Sequence, residues 1–479
     1  MSEILTSDAT EMLAALAARK VSALELLEAS LSRQQTLHGR LNAVVATSLE
    51  RALEHARAID ERRAKGEALG PLAGLPMTIK DTFDAVGMPA SSGLAAMHRR
   101  IAEDAEVVHH VKAAGAVVWG KTNVPVMAGD WQSFNGVYGT TNNPWDVTRT
   151  PGGSSGGAAA ALAAGITALE VGSDIGGSLR VPASFCGVFS HKPSWGLVSQ
   201  HGHVPPSPGS WSERDLNVVG PMARSARDLR LLLSIIENGP MAPRAAPADL
   251  KTVRIGLWLD EPSFVLDVEV RTAIESFAAE LVAAGAEVVP IQSPVHMPTL
   301  MGAYQTLLGA VLGEDMPPAM IRGMQRMRGW AKWSMDRGGG PLSTAAMTLA
   351  YTATHREWMA ADAVRNRLRH EVTRAFDLYD VILAPIAPVV AFPHDHMPFA
   401  RRRLKTSTGE SLPYNVMLNW IALATALHLP ATTIPAGPSA SGLPVGAQLI
   451  GPPGGDARTL ALAQAIDENV RGFVAPNVA

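Results

Sequence analysis

The sequence predicts an α/β fold: one large twisted, mixed β-sheet with helices on both faces. Three observations lead there. Short apolar runs alternate with amphipathic helical stretches along most of the chain, and such alternation pairs strands with covering helices. The 479 residues are 47% hydrophobic and 18% charged, enough apolar material for a large core. Glycine (43) and proline (34) punctuate the units, and no internal repeat or clean linker divides them. We therefore expect a single domain over 1–479, with a mainly helical insertion near 297–375.

The elements follow in order. Ser22 and Glu25 have capping-box spacing, and Leu24, Leu27 and Leu31 share one face of the helix that follows. Leu75–Ile79 is a short apolar strand that ends at Lys80 and Asp81. Glu106–Ala114 reads as a helix stopped by Gly115, followed by a strand at Ala116–Trp119. The same grammar recurs: a strand at Val253–Trp258, a helix carrying Val270, Ile274, Phe277 and Leu281, a stop at Gly285, and a strand at Val288–Val289. Met297–Tyr379 is predicted almost wholly helical. The chain closes with a strand at Val445–Ile450 and a helix at Asp456–Asn469.

Composition removes several classes of function. Net charge is −3, from 41 basic and 44 acidic residues, which excludes a polycation that holds nucleic acid by charge alone. The single cysteine, Cys186, excludes an intrachain disulfide framework and a Cys-rich metal site, and suits a reducing compartment. The N-terminus shows no basic region followed by an apolar stretch, so no signal peptide is expected. The longest apolar run, Ala158–Leu169, is shorter than the about 20 residues that span a bilayer. A buried helix is expected there instead.

The chemistry concentrates in Pro151–Arg180, PGGSSGGAAAALAAGITALEVGSDIGGSLR. Two Gly-Gly-Ser turns end at Ser154 and Ser178. Glycines around a serine permit positive φ and leave backbone N–H groups bare, and successive bare amides form a concave anion site. An oxyanion hole has the same requirement, with Ile175 to Ser178 as donors and Ser178 as nucleophile. A phosphate loop is the alternative, but the Lys-Ser/Thr ending of a P-loop is missing. A serine nucleophile also needs a base. His191, His201, His203, His394 and His396 are candidates by type, although histidines in such numbers are mostly surface or satisfied core residues. A buried lysine can serve as base because desolvation lowers its pKa, and Lys80 stands straight after an apolar strand. Spacing alone favours an exposed strand-end lysine.

Four stretches then carry a resemblance: LPMTIKD (Leu75–Asp81), GKTNVP (Gly120–Pro125), NNPWD…PGGSSGG…GSDIGGSLR (Asn142–Arg180) and LPVGAQLIG (Leu443–Gly451), with CGVFSHKP and LPATTIP in support. Over roughly residues 8 to 470 the chain resembles the amidase signature family of serine hydrolases. The resemblance implies a Ser–Ser–Lys triad, with Ser178 as nucleophile, Lys80 as base, and Ser154 between them after a cis Gly153–Ser154 peptide. It implies oxyanion donors at Ile175, Gly176, Gly177 and Ser178, bracing by Asp174 and Arg180, and support from Ser155. Ala128, Gly129 and Asp130 would line the leaving-group side through backbone carbonyls. Cys186 falls at a core-like position, and no cofactor or metal is implied. Val126, Met127 and His191 depart from the family pattern.

The expected activity is hydrolysis of a small apolar or aromatic carboxamide or anilide, with carbamates or esters also in range. The Met- and Trp-rich stretch Met316, Met320, Met324, Met327, Trp330 and Trp333 reads either as core packing or, where relatives build the acyl side of the pocket, as an apolar acyl wall. The expected partners are that small molecule alone, in the cytoplasm, without nucleic acid or membrane, in a chain whose relatives are often dimers. The alternative is the glutamine-hydrolysing subunit of a tRNA-dependent amidotransferase. It shares the triad, but the basic, RR-containing helix usual in that subunit is missing between Phe264 and Leu349. A non-catalytic scaffold fits poorly with Ser178, Ser154 and Lys80 all present. The Arg401–Arg403 run reads as a solvated turn.

Overall fold

The structure is a computed structural model that describes residues 2–100, 102–206, 208–239, 248–340 and 343–478. Three strands form a small sheet: β1 (Val44–Thr47), β2 (Pro76–Lys80) and β3 (Val117–Thr122), in the order β1-β3-β2. β2 runs parallel to β3, and β1 antiparallel to it. Eight strands form the main sheet. They are β4 (Leu169–Asp174), β5 (Phe189–Lys192), β6 (Val218–Ala223), β7 (Arg254–Leu257), β8 (Glu287–Pro290), β9 (Val381–Pro385), β10 (Ala431–Pro438) and β11 (Pro444–Ile450), in the order β8-β7-β9-β11-β10-β5-β6-β4. β7 is parallel to β8 and β9, and every other neighbouring pair is antiparallel. The sheet is mixed, as expected, with antiparallel pairs in the majority.

Both faces of the central strands are buried, and the side-chain alternation of β9 shows how. Val381 and Leu383 join one hydrophobic cluster, while Ile382 and Ala384 join another. A period of two sends successive residues to opposite faces, so each face needs its own helical cover. On the first face Ile274, Phe277 and Leu281 of the helix Val268–Ala283 pack against the strands. On the second lie the helices Met297–Glu314 and His355–Phe376, through Leu300, Leu307, Leu368 and Val372.

Most local expectations hold. Ser22 caps Ala23–Leu41 in a full capping box with Glu25. Gly115 and Gly285 end their helices at φ +94 and +105, values that favour glycine. Among the described residues, the stretch 297–376 contains four helices, Met297–Glu314, Pro318–Met335, Thr344–Tyr351 and His355–Phe376.

The apolar run after Ser155 is a fully buried helix, Gly156–Ala163. It starts against the end of β3, where backbone meets backbone. A Cβ on Gly157 would sit 2.4 Å from the Asn123 nitrogen. Hence Gly157→Ala should force the helix away from β3 and cost about 1–3 kcal/mol, read as a lower midpoint in urea or heat.

Candidate active site

The lysine of LPMTIKD is not exposed. Lys80 ends β2 with no solvent access, and its Nζ lies 2.8 Å from Ser154 Oγ and 2.9 Å from Ser173 Oγ. Burial pushes its pKa down to about 7, against the pull of Asp174 and Glu170. A large fraction of the amine is therefore neutral near physiological pH. Glu170, on β4, is itself pushed up to about 8 by burial, with its Oε1 accepting from Thr78 Oγ1 at 2.5 Å. In its protonated form it holds no charge that would keep the lysine charged.

The second serine turn hangs on one ion pair. Asp174 and Arg180 are both fully buried, 3.0 Å apart. Burial alone would raise the Asp174 pKa, but the Arg180 charge and hydrogen bonds outweigh it and hold the carboxyl below its usual range. Asp174 also accepts from the backbone N–H of Gly177 (2.8 Å) and Leu179 (3.1 Å). Arg180 has five N–H bonds, and five acceptor contacts meet them. Two go to Asp174, and the rest to Ile421 O, Thr425 Oγ1 and Gln448 Oε1. The turn is fixed from below, with Gly177 at φ +93.

This anchoring sorts the four expected oxyanion amides. Gly177 N–H points inward at Asp174, whereas those of Ile175, Gly176 and Ser178 have no acceptor among the described residues. Preorganised free donors beside a serine are suited to a developing oxyanion. The Gly153–Ser154 peptide is cis. Ser155 donates from its backbone N–H to Ser178 O (3.2 Å) and from its hydroxyl to Ser173 O (3.5 Å). Among the described residues no hydrogen bond joins the Ser154 and Ser178 hydroxyls. Catalytic links of this kind commonly tighten only when substrate binds.

Ser178 opens into a cavity of about 630 Å³ lined also by Ala128, Gly129, Asp130, Ile175 and Gly176. The Asp130 carboxylate is turned aside: it accepts from Tyr414 Oη at 2.7 Å and from Arg402. Arg402 is buried, so the reading of a wholly solvated Arg401–Arg403 turn is corrected for its middle residue: only Arg401 and Arg403 are exposed. The far wall is Met316, Met320, Met324 and Met347 with Leu308 and Leu312. Met327, Trp330 and Trp333 face solvent instead.

Other sequence candidates have separate roles. His191 is buried between Thr432 and Asp456, 2.8 and 3.0 Å away. Cys186 is buried, and desolvation raises its thiol pKa far above neutrality, in keeping with packing. His201 stacks on Trp211, and His396 on Phe134. Among the described residues no group of three His, Cys, Asp or Glu side chains could hold a metal ion. Nor is any helix among them long and apolar enough to cross a membrane. Sequence reading missed Glu170, Ser173 and Arg402. A carboxylate four residues before Asp174 was the only local sign of Glu170.

The chain and its fold have counterparts among known proteins. The amidase family model matches residues 25–460. The A subunit of the glutamyl-tRNA(Gln) amidotransferase of Anaeromyxobacter sp. (strain K) is 34% identical, over 97% of this chain and 96% of its own. A crystal structure of an amidase superposes with a TM-score of 0.79 at 30% identity, covering 97% of this chain and 100% of its own. The A subunit of the Thermotoga maritima glutamyl-tRNA(Gln) amidotransferase follows with a TM-score of 0.75 at 26% identity, covering 99% and 98%. The chain belongs to the amidase signature family, and is thus an enzyme acting on carbon–nitrogen amide bonds. One expectation is overturned. A lone small-molecule partner, with nucleic acid excluded, does not stand against relatives that are named subunits of a tRNA amidotransferase. Net charge excluded only binding by bulk charge, and it does not bear on recognition by a local surface.

The Lys80 environment predicts a pH profile. A base must be unprotonated, and the neutral fraction grows as pH rises through about 7. Phosphonylation of Ser178 by a fluorophosphonate should therefore rise across pH 6–8 and level off above, measured by intact mass. Lys80→Ala should lower that rate by about two to four orders of magnitude and abolish the limb.

Proposed function

We propose that this chain hydrolyses an amide through an acyl-enzyme on Ser178. The observation that carries the reading is the buried Lys80 amine, 2.8 Å from Ser154 Oγ, with the next residue, Ser155, bonded through its N–H to the carbonyl of Ser178, which itself lines the cavity. In this reading neutral Lys80 takes the Ser154 proton while Ser154 takes that of Ser178. Ser178 Oγ then attacks the carbonyl carbon, and the free amides of Ile175, Gly176 and Ser178 hold the oxyanion. The proton returns along the same path to the departing amine, and water repeats the sequence to release the acid. Asp174 and Arg180 keep the donors in place without touching substrate.

Two acyl groups fit this chemistry. The relatives support glutamine, with the chain as the glutamine-hydrolysing subunit of a tRNA-dependent amidotransferase. Identity near one third along almost the whole of both chains makes that the better supported reading. A specific feature favours the other. Four methionines and three leucines line the cavity, and among the described residues no Lys or Arg lines it to meet a glutamine α-carboxylate. That wall suits an apolar or aromatic acyl group.

One comparison separates them. kcat/KM should be measured for glutamine, with and without glutamyl-tRNA and the companion subunits of a relative, beside a series of lengthening acyl anilides. Ammonia release from glutamine that depends on the companions supports the amidotransferase. A rise worth about 0.8 kcal/mol per added CH₂, then a plateau, supports the apolar pocket. Ser178→Ala should abolish turnover on either substrate, and residual covalent labelling in that variant would refute the acyl-enzyme.

A further inference from the structure

The Lys80 amine has a third neighbour behind the relay. Ser173, on β4, lies 2.9 Å from Lys80 Nζ, and His203 Nε2 lies 2.9 Å from the same Ser173 Oγ. His203 sits in the loop before Pro205, buried, with its ring edge-on to Phe83 at 5.0 Å between centroids. Its Nδ1 is 2.7 Å from the Pro205 carbonyl oxygen. Backbone hydrogen bonds from Asp84 N–H to Gly202 O and from Val204 N–H to Thr82 O pin this loop against the segment that follows β2. Loop and lysine therefore keep a fixed distance.

Proton counting along this chain gives one answer. A carbonyl oxygen only accepts, so Nδ1 carries the hydrogen. Burial first, and the Lys80 charge second, push the His203 pKa down to about 3, so the ring is neutral at working pH and Nε2 is a bare lone pair. Ser173 has one hydroxyl hydrogen, and it goes to Nε2. The Ser173 oxygen can then meet Lys80 only as an acceptor, taking one N–H of the amine. A neutral amine has two N–H bonds and one lone pair. With an N–H spent on Ser173, the lone pair is left for the Ser154 hydroxyl.

We propose that His203 is a positioning residue that sets the direction of the proton relay, acting through Ser173 to keep the Lys80 lone pair turned toward Ser154. The inference rests on the acyl-enzyme reading above. Without His203 the Ser173 hydroxyl is free to rotate and donate to the lysine, competing with Ser154 for the same lone pair. His203 touches neither Ser154 nor Ser178, and it transfers no proton itself.

The test follows phosphonylation of Ser178 across pH in the full chain carrying His203→Leu, His203→Gln, Ser173→Ala, and His203→Leu with Ser173→Ala. The charged and titratable groups facing Lys80 are Asp174 and Glu170 from β4 and His203 itself; Arg214 also faces His203. None is altered besides His203. His203→Leu should slow labelling on the order of tenfold, as for one misdirected hydrogen bond. It should also move the acid limb to lower pH, because a donor on the lone pair favours the neutral amine. In the Ser173→Ala background the same change should cost less than about twofold, since the competing hydroxyl is gone. His203→Gln, whose amide oxygen reaches where Nε2 stood, should label within about threefold of wild type with an unmoved limb. An equal loss with and without Ser173, an unmoved limb in His203→Leu, or a failed Gln rescue overturns the inference. Should His203→Leu not fold, His203→Gln alone decides, and a tenfold loss there counts against it. Labelling that survives Ser178→Ala is a different failure, one of the acyl-enzyme reading itself.

Discussion

An amine without water around it governs this site. Moving an ammonium group into a dry interior is costly, so a buried lysine either finds a counter-charge or gives up its proton. Lys80 has both options within reach and is held between them. Two hydroxyls bind its nitrogen directly, Asp174 lies further off with its charge already matched by Arg180, and Glu170 is pushed toward its neutral form. The arrangement works because β2 and β4 belong to different sheets yet lie side by side at this point. Thr78 N–H donates to Thr167 Oγ1, and Thr78 Oγ1 to Glu170, which ties the small sheet to the edge of the large one.

The Asp174–Arg180 pair does the complementary work for negative charge. A buried pair contributes little net stability unless its remaining donors and acceptors are satisfied. Here they are, and the satisfied contacts reach Ile421, Thr425 and Gln448. Gln448 passes the connection on to Pro385 O and Trp420 O at 2.8 Å each. The turn at Ser178 is thereby locked to β9, β11 and the short helix Ala422–Ala426. A loop of glycines would otherwise sample many conformations, and preorganised amides are what an oxyanion needs.

The cavity beyond Ser178 is built from a different part of the chain. Its methionine wall comes from Met316, from Met320 and Met324 on the helix Pro318–Met335, and from Met347 on the helix Thr344–Tyr351, while Ala128 to Asp130 come from the turn after β3. Methionine adapts to more than one shape, so this wall sets polarity more firmly than size. Asp130 is kept from the substrate by Arg402 and Tyr414, which leaves the backbone of that turn as its polar contribution.

The sequence by itself determined several of the strands and helices, both serine turns, the glycine stops and the family. Each is local: a capping box needs four residues, a Gly-Gly-Ser turn three, a helical face about twelve. It also carried the motif around Lys80, yet spacing alone read that residue as exposed, because the burial of a strand end depends on what packs over it. Only the tertiary structure decided that Ser173 and His203, thirty residues apart, meet behind the amine, and that Arg402 crosses the chain to Asp130. The same holds for the Gly177 amide turning inward and for Met327 facing out while Met324 lines the cavity. Those outcomes depend on distances between segments far apart in the chain, and no pattern of neighbouring residues encodes them. The charge count misled on partners for a related reason: a sum over the chain has no position, and recognition between subunits is a matter of surfaces.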